Sequence, residues 1–275
     1  METKIAIQGI KGSFHHQVAL EYFQENTPIN ECMSFDALVD SLLAKDCSGA
    51  VMAIENSIAG SIIPNYALID RHNLQIIGEH YLDIHQNLMA LKGQKMAEIL
   101  EVHSHPMALL QCMDFLKKFP HMRLVEDNDT AETAKRINEN QLKGIAAIAS
   151  KSAAILYDLE ILAPEIQTIN NNMTRFFILQ KQGELPISGR INKASLKFEL
   201  DHKRGSLAAV LNVMSDCQLN LTKIQSLPKI ETPWKYAFFV DVTFNNYADY
   251  DKAKVLLQIM ASHFKVLGEY TNKQP

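Results

Sequence analysis

The chain has few cysteines, no long apolar run and no block of basic residues. Its four cysteines, Cys32, Cys47, Cys112 and Cys217, are scattered over 275 residues with no Cys-x-x-Cys spacing. That argues against a disulfide framework and a thiolate metal site, and the thiols read as reduced core residues of a cytoplasmic protein. No apolar stretch reaches membrane-spanning length, so no membrane partner is expected. The net charge is −4 and no basic cluster appears, so no nucleic-acid partner is expected either. The start, Met1 to Ile7, runs straight into a strand pattern without a signal peptide. Gly9-Ile10-Lys11-Gly12 lacks the third glycine and the acidic residue of a dinucleotide fingerprint. His103-Ser104-His105 has the look of a metal pair, but no carboxylate or cysteine cluster completes it. No metal and no cofactor are expected.

What is present is a globular pattern, 47% hydrophobic and 21% charged, with length for two domains. Up to about residue 180, short apolar strands alternate with amphipathic helices, the signature of an α/β fold. Lys4 to Gln8, Ala50 to Ile54, Ile99 to Val102 and Ile145 to Ala149 read as strands. Ser34 and Asp129 are placed to cap helices. Residues 181–193 are polar and broken by Gly and Pro, which reads as a linker. Beyond them the pattern becomes β-α-β-β-α-β, the split ferredoxin-like unit.

Polar residues recur where strands hand over to helices. Ser13, Ser104 and Ser150 each take that place, with Pro106 opening the helix after Ser104. Helix starts offer free N–H groups and a positive dipole end, and strand ends line the crevice of an open α/β sheet. Plain N-capping explains each serine equally well. His15 and His16 read as helix-entry histidines, partly exposed, or as general acids. The densest polar run is Asn170-Asn171-Asn172-Met173-Thr174-Arg175-Phe176-Phe177, at the start of a strand. Arg175 can grip a carboxylate with two parallel bonds, or pair with Glu55 as a structural ion pair. Phe176 and Phe177 alternate sides, so one is expected to wall a cleft and the other to fill core.

Together these motifs resemble the prephenate dehydratase family with a C-terminal ACT regulatory domain. The matching blocks are Gly9-Ile10-Lys11-Gly12-Ser13-Phe14, Glu55-Asn56-Ser57 with Gly60, Ser104-His105-Pro106, Asp129-Thr130-Ala131, Ala147 to Ser150, and Thr174-Arg175-Phe176. His15 departs from the pattern, standing where a small hydroxyl residue is usual. The resemblance implies a two-lobed catalytic domain like a periplasmic binding protein, over 1–181, and a ferredoxin-like α+β ACT domain, over 194–272. It implies a lyase that converts prephenate to phenylpyruvate with loss of water and carbon dioxide, in phenylalanine biosynthesis. Thr174 is the implied catalytic residue, with Arg175, Phe176, Asn56, Ser57, Ser13, Ser104 and Ser150 binding substrate. The ACT domain is expected to bind L-phenylalanine through Gly205, Ser206, Leu207, Gln225, Ser226 and Pro228, in a homodimer or homotetramer. Gln225 and Leu227 stand where the family has Glu and Arg, which puts that effector in question. Arogenate as substrate, and a non-enzymatic amino-acid sensor, stay open as alternatives.

Overall fold

The computed structural model describes residues 4–181, 189–201, 203–228 and 236–275. Most of the linker expected over 181–193 therefore lies outside the described residues. Two compact units account for the chain: 1–61 with 81–176, and 62–80 with 177–275.

The first unit opens with β1 (Ile5–Gln8), α1 (Phe14–Tyr22), β2 (Ile29–Cys32), α2 (Phe35–Leu43), β3 (Gly49–Asn56) and the two-residue β4 (Gly60–Ser61). β1 runs parallel between β2 and β3, with Ile5 opposite both Ile29 and Gly49. β4 folds back on the end of β3, pairing Glu55 with Ser61. Helix α3 (Ile63–Arg71) and strand β5 (Gln75–Asp83) come next in the chain, and 62–80 belong to the second unit. A second sheet follows: β6 (Asn87–Leu91), β7 (Glu101–Ser104), α4 (Pro106–Gln111), α5 (Met113–Leu116), β8 (Arg123–Glu126), α6 (Thr130–Glu139), β9 (Ile145–Ala149), α7 (Lys151–Leu156) and β10 (Leu159–Ala163). Its strand order is β10-β6-β9-β7-β8. β9 shows why this sheet is covered on both faces. Ala146 and Ile148 enter the core with Leu109, Cys112 and Leu116, while Ala147 and Ala149 enter another with Ala134, Ile137 and Ala153. β11 (Met173–Gln180) then returns beside β3. This is the two-lobed α/β arrangement expected.

The second unit carries β12 (Lys193–Glu199), α8 (Ser206–Asp216), β13 (Asn220–Pro228), β14 (Tyr236–Thr243), α9 (Tyr247–Met260) and β15 (His263–Tyr270). Their order in the sheet is β13-β14-β12-β15, the antiparallel ferredoxin-like arrangement. The unit differs from the expected 194–272 by taking in 62–80. Three contacts explain this. Glu79 on β5 is fully buried, and Lys193 Nζ donates to both its oxygens at 3.0 Å. Lys197 and Lys265 both reach Asp70 at the end of α3. Tyr66 on α3 packs edge-on against Phe239, 5.5 Å away. A buried carboxylate left without its cation would cost several kcal/mol, so the pairing of Glu79 with Lys193 holds only while 62–80 stays against the C-terminal strands. Among the described residues, no helix is long and apolar enough to cross a membrane.

Candidate active site

The site is built where β3 ends beside the start of β11. β3 is apolar to Ile54 and then turns through Glu55, Asn56 and Ser57 toward Gly60. Asn56 fixes that turn, because its Oδ1 accepts from the backbone N–H groups of Ile58 (3.0 Å) and Ala59 (2.9 Å). Its Nδ2 faces the other way and donates to Thr174 Oγ1 at 2.9 Å and to Asn172 Oδ1 at 2.7 Å. Ser57 completes the clasp: its N–H donates to the Met173 carbonyl at 2.8 Å, and its Oγ accepts from the Met173 N–H at 2.9 Å.

This geometry sets the polarity of Thr174. Its hydroxyl oxygen already accepts a bond from an amide, so the hydroxyl hydrogen is directed elsewhere as a donor. Thr174 is 8% exposed, so a group that meets this donor does so with little water present. Arg175, 4% exposed, carries its guanidinium over the Tyr81 ring, 5.8 Å from the centroid. Thr174 and Arg175 are successive residues of β11, so their side chains leave the strand on alternate sides.

The glycine-rich turn after β1 is held by a separate set of contacts. Gly9 and Gly12 both take positive φ, +86° and +90°. A Cβ on Gly9 would meet Asp129 Oδ2 at 2.7 Å, and one on Gly12 would meet the Ala153 backbone at 3.1 Å. Only glycine satisfies both the angle and the approach. Ser150 Oγ donates to the Gly12 carbonyl at 2.6 Å, and Tyr157 Oη donates to the Lys11 carbonyl at 2.5 Å. Asp129 caps α6 through Oδ1, which accepts from Ala131 and Glu132 at 2.9 Å each. Burial raises its pKa above the usual carboxylate value.

The expected substrate-binding residues divide accordingly. Thr174, Asn56 and Ser57 meet through the bonds given above, whereas Arg175, the next residue of β11, stacks on Tyr81. Asn56, however, has both ends of its amide engaged by protein, so it aims Thr174 rather than facing a ligand. Ser13 caps α1, accepting from His16 N at 3.2 Å. Ser150 caps α7 as well as holding Gly12, which engages its hydroxyl as both donor and acceptor. Ser104 is the last residue of β7 and not a cap; His105 caps α4 instead. Its side chain is wholly buried and donates to the Ile148 carbonyl at 2.7 Å, which takes it out of the ligand set. Phe176 and Phe177 are both core, each 1% exposed, so neither walls an open cleft.

His15 is also core rather than helix-entry surface. Its Nε2 accepts from Ala53 N at 3.2 Å, and its ring meets Phe176 edge-on at 5.0 Å. Burial pushes its pKa down to about 3, so it stays neutral. Asn172 stood in the polar run without being singled out, and Tyr81 carried no signal at all. Asn172 sits in a run of three amides, and nothing in that run marks which one turns inward. Tyr81 lies far from Arg175 in sequence, on a strand with no motif.

In the second unit, Gly205 takes φ +82° and opens α8 without a side-chain cap. Ser206 and Leu207 line a cavity of about 160 Å³ with Leu200, Asp201, Lys203, Tyr236 and Phe238. Gln225 Nε2 donates to the neighbouring Ser226 carbonyl, Leu227 is buried, and Pro228 is exposed. These three do not line that cavity.

A family model described as prephenate dehydratase matches residues 5–184. The chain belongs to the prephenate dehydratase family. It is 36% identical over 279 residues to the chloroplastic arogenate dehydratase/prephenate dehydratase 2 of Arabidopsis thaliana, covering 98% of this chain and 72% of that one. Among solved structures it is similar to a prephenate dehydratase from Arthrobacter aurescens in complex with L-Phe, with a TM-score of 0.89 at 23% identity, covering 99% and 92% of the two chains. It is also similar to GqqA, described as a novel type of quorum-quenching acylase, with a TM-score of 0.88 at 26% identity over 98% of each chain.

Proposed function

We propose that the protein is a prephenate dehydratase, a carbon–oxygen lyase that forms phenylpyruvate. The observation that carries this is the 2.9 Å bond from Asn56 Nδ2 to Thr174 Oγ1, with Asn56 itself locked by Ile58 and Ala59. In the reaction, the bond from the ring to the departing carboxylate breaks and its electron pair enters the ring. The carbon–oxygen bond to the ring hydroxyl breaks at the other end, and hydroxide leaves with a proton from solvent. Aromatisation drives the step. The protein's task is to stabilise charge growing on the leaving oxygen and to hold the other carboxylate. Thr174 donates to that oxygen, and Arg175 grips the retained carboxylate. A threonine hydroxyl is too weak an acid to give up its proton outright. A preorganised donor whose bond strengthens with developing charge is worth about 3 kcal/mol.

Acyl transfer, as in the quorum-quenching acylase, would need a hydroxyl whose proton is taken by a base. Here the Thr174 oxygen accepts from an amide, which favours donation over nucleophilic attack. Arogenate stays in view because the Arabidopsis relative carries both substrate names. Parallel assays of purified protein with prephenate and arogenate decide: turnover of prephenate alone supports the proposal, and turnover of arogenate alone replaces it.

The second unit acts as an ACT-type regulatory domain in this proposal. Its cavity combines Asp201 and Lys203 with Tyr236 and Phe238, charges and rings that suit an aromatic amino acid. The Arthrobacter protein was solved with L-Phe. L-phenylalanine is thus the proposed effector, in an oligomer joined through these units.

A further inference from the structure

The amide of Asn172 is only half used. Its Oδ1 accepts from Asn56 Nδ2 at 2.7 Å, but its Nδ2 has no hydrogen-bond partner although the side chain is fully buried. Exchanging oxygen and nitrogen does not remove the problem. Ile58 N and Ala59 N both donate to Asn56 Oδ1, which fixes the Asn56 amide and points its Nδ2 at Asn172. Asn172 must therefore present oxygen to Asn56, and its own N–H groups face away. A buried N–H without an acceptor costs about 1–3 kcal/mol, and such groups mark strain or a missing partner. The residues before it, Ile169 to Asn171, are exposed and irregular, so uncovering Asn172 breaks no strand or helix.

We propose that Asn172 is a substrate-binding residue of this site, whose Nδ2 donates to an oxygen of the bound substrate while its Oδ1 holds Asn56. The partner is an acceptor, a carboxylate or hydroxyl oxygen; an ammonium group brings only donors and does not fit. The single Asn56 Nδ2 joins the two residues, at 2.9 Å from Thr174 Oγ1 and 2.7 Å from Asn172 Oδ1, so the new donor belongs to the Thr174 corner. One amide pair thus serves two ends, aiming Thr174 and receiving the ligand. This rests on the dehydratase proposal for Thr174.

The test separates direct contact from support of Asn56. Prephenate binding is measured by calorimetry on Thr174→Ala, which binds without efficient turnover, and on Thr174→Ala with Asn172→Leu. If Asn172 acted only by steadying Asn56 and Thr174, its loss would not matter once the Thr174 hydroxyl is gone. Direct donation predicts a Kd raised about tenfold or more in the double variant, the value of one bond to a charged acceptor. Asn172→Asp in the same background keeps the acceptor for Asn56 but loses the N–H groups. It should also weaken binding near neutral pH and recover as acid restores a donor. An unchanged Kd in both variants, with unfolding temperatures near that of Thr174→Ala, overturns the assignment. Wild-type protein that neither binds nor converts prephenate overturns the dehydratase proposal itself, and this inference with it.

Discussion

Around Thr174, Asn56 fills both ends of its amide with Ile58, Ala59, Asn172 and Thr174. Around Gly205, α8 starts with no side-chain cap, and the Gln225 amide donates to its neighbour's carbonyl. Both places were expected from short motifs. The first motif is intact and its side chains hold each other. The second has lost Glu and Arg to Gln225 and Leu227, and Gln225, Leu227 and Pro228 do not line the cavity beside Ser206 and Leu207. An interlocked set fixes one geometry before substrate arrives, as charge stabilisation requires. A looser set leaves the ligand to organise the pocket, which lowers affinity and relaxes preference.

Breaking the interlocked corner should give the largest effects. Thr174→Ala should lower kcat on the order of a hundredfold or more with little change in KM, while Thr174→Ser keeps much of the rate. A fully active alanine variant would remove Thr174 from the mechanism. Asn56→Asp tests the polarity of the corner. The carboxylate can still accept from Ile58 and Ala59, but it offers Thr174 an acceptor where there was a donor. The hydroxyl then turns back toward residue 56, and kcat should fall about thirtyfold or more, without a further large loss when combined with Thr174→Ala. Additive losses would show that Asn56 acts independently. Arg175→Lys should act mainly on KM, raising it about tenfold, because a point charge replaces a bidentate fork. Unchanged KM with a lower unfolding temperature would favour the structural ion pair.

How much of this was legible in sequence depended on whether a residue's partner was local. Ser34, Asp129 and Ser150 cap helices as the spacing indicated, since a cap needs only the next turn. The strand alternation and the ferredoxin-like order also follow from local periodicity. Ser104 failed because its partner, the Ile148 carbonyl, lies on another strand. Glu79 gave no signal because a charge inside a strand reads as solvent-facing until Lys193 is known to meet it. Thr174 was legible as a motif, but its polarity was not, since that comes from Asn56, 118 positions away.

His15 gives a smaller, pH-dependent effect on the same unit. The folded protein keeps it neutral with a pKa near 3, whereas the unfolded chain takes up a proton below 6.5. Between those values the unfolded state binds more protons, so stability rises with pH and falls progressively as pH drops below 6.5. His15→Gln, whose amide oxygen can still accept from Ala53, should lose less of its unfolding temperature on acidification than wild type. Parallel acid limbs for the two proteins would mean that His15 does not report on folding.

The weakest effect belongs to the second unit. Phenylalanine at its cavity should inhibit only modestly, with a coupling of about 1–3 kcal/mol at most and less where signature charges are missing. Removing the unit is a poor way to test this. A chain ending near residue 181 would lose Lys193 and the strand beside β5, uncovering β5 and the Tyr66 face of α3, so it should be destabilised rather than simply unregulated. Point changes in the intact chain are cleaner. Ser206→Phe should fill part of the cavity of about 160 Å³ while leaving the rate without effector near wild type. Phenylalanine should then give neither heat nor inhibition in that variant, and weak heat with partial inhibition at millimolar concentration in wild type. Gln225→Glu, restoring one signature charge, should tighten wild-type binding a few-fold if residue 225 reaches the ligand in an oligomer. Wild type that shows no heat, no thermal shift and no inhibition would make the second unit an assembly module, or a sensor of another ligand. The contrast between an interlocked site and a loose one would then become a contrast between a site and none.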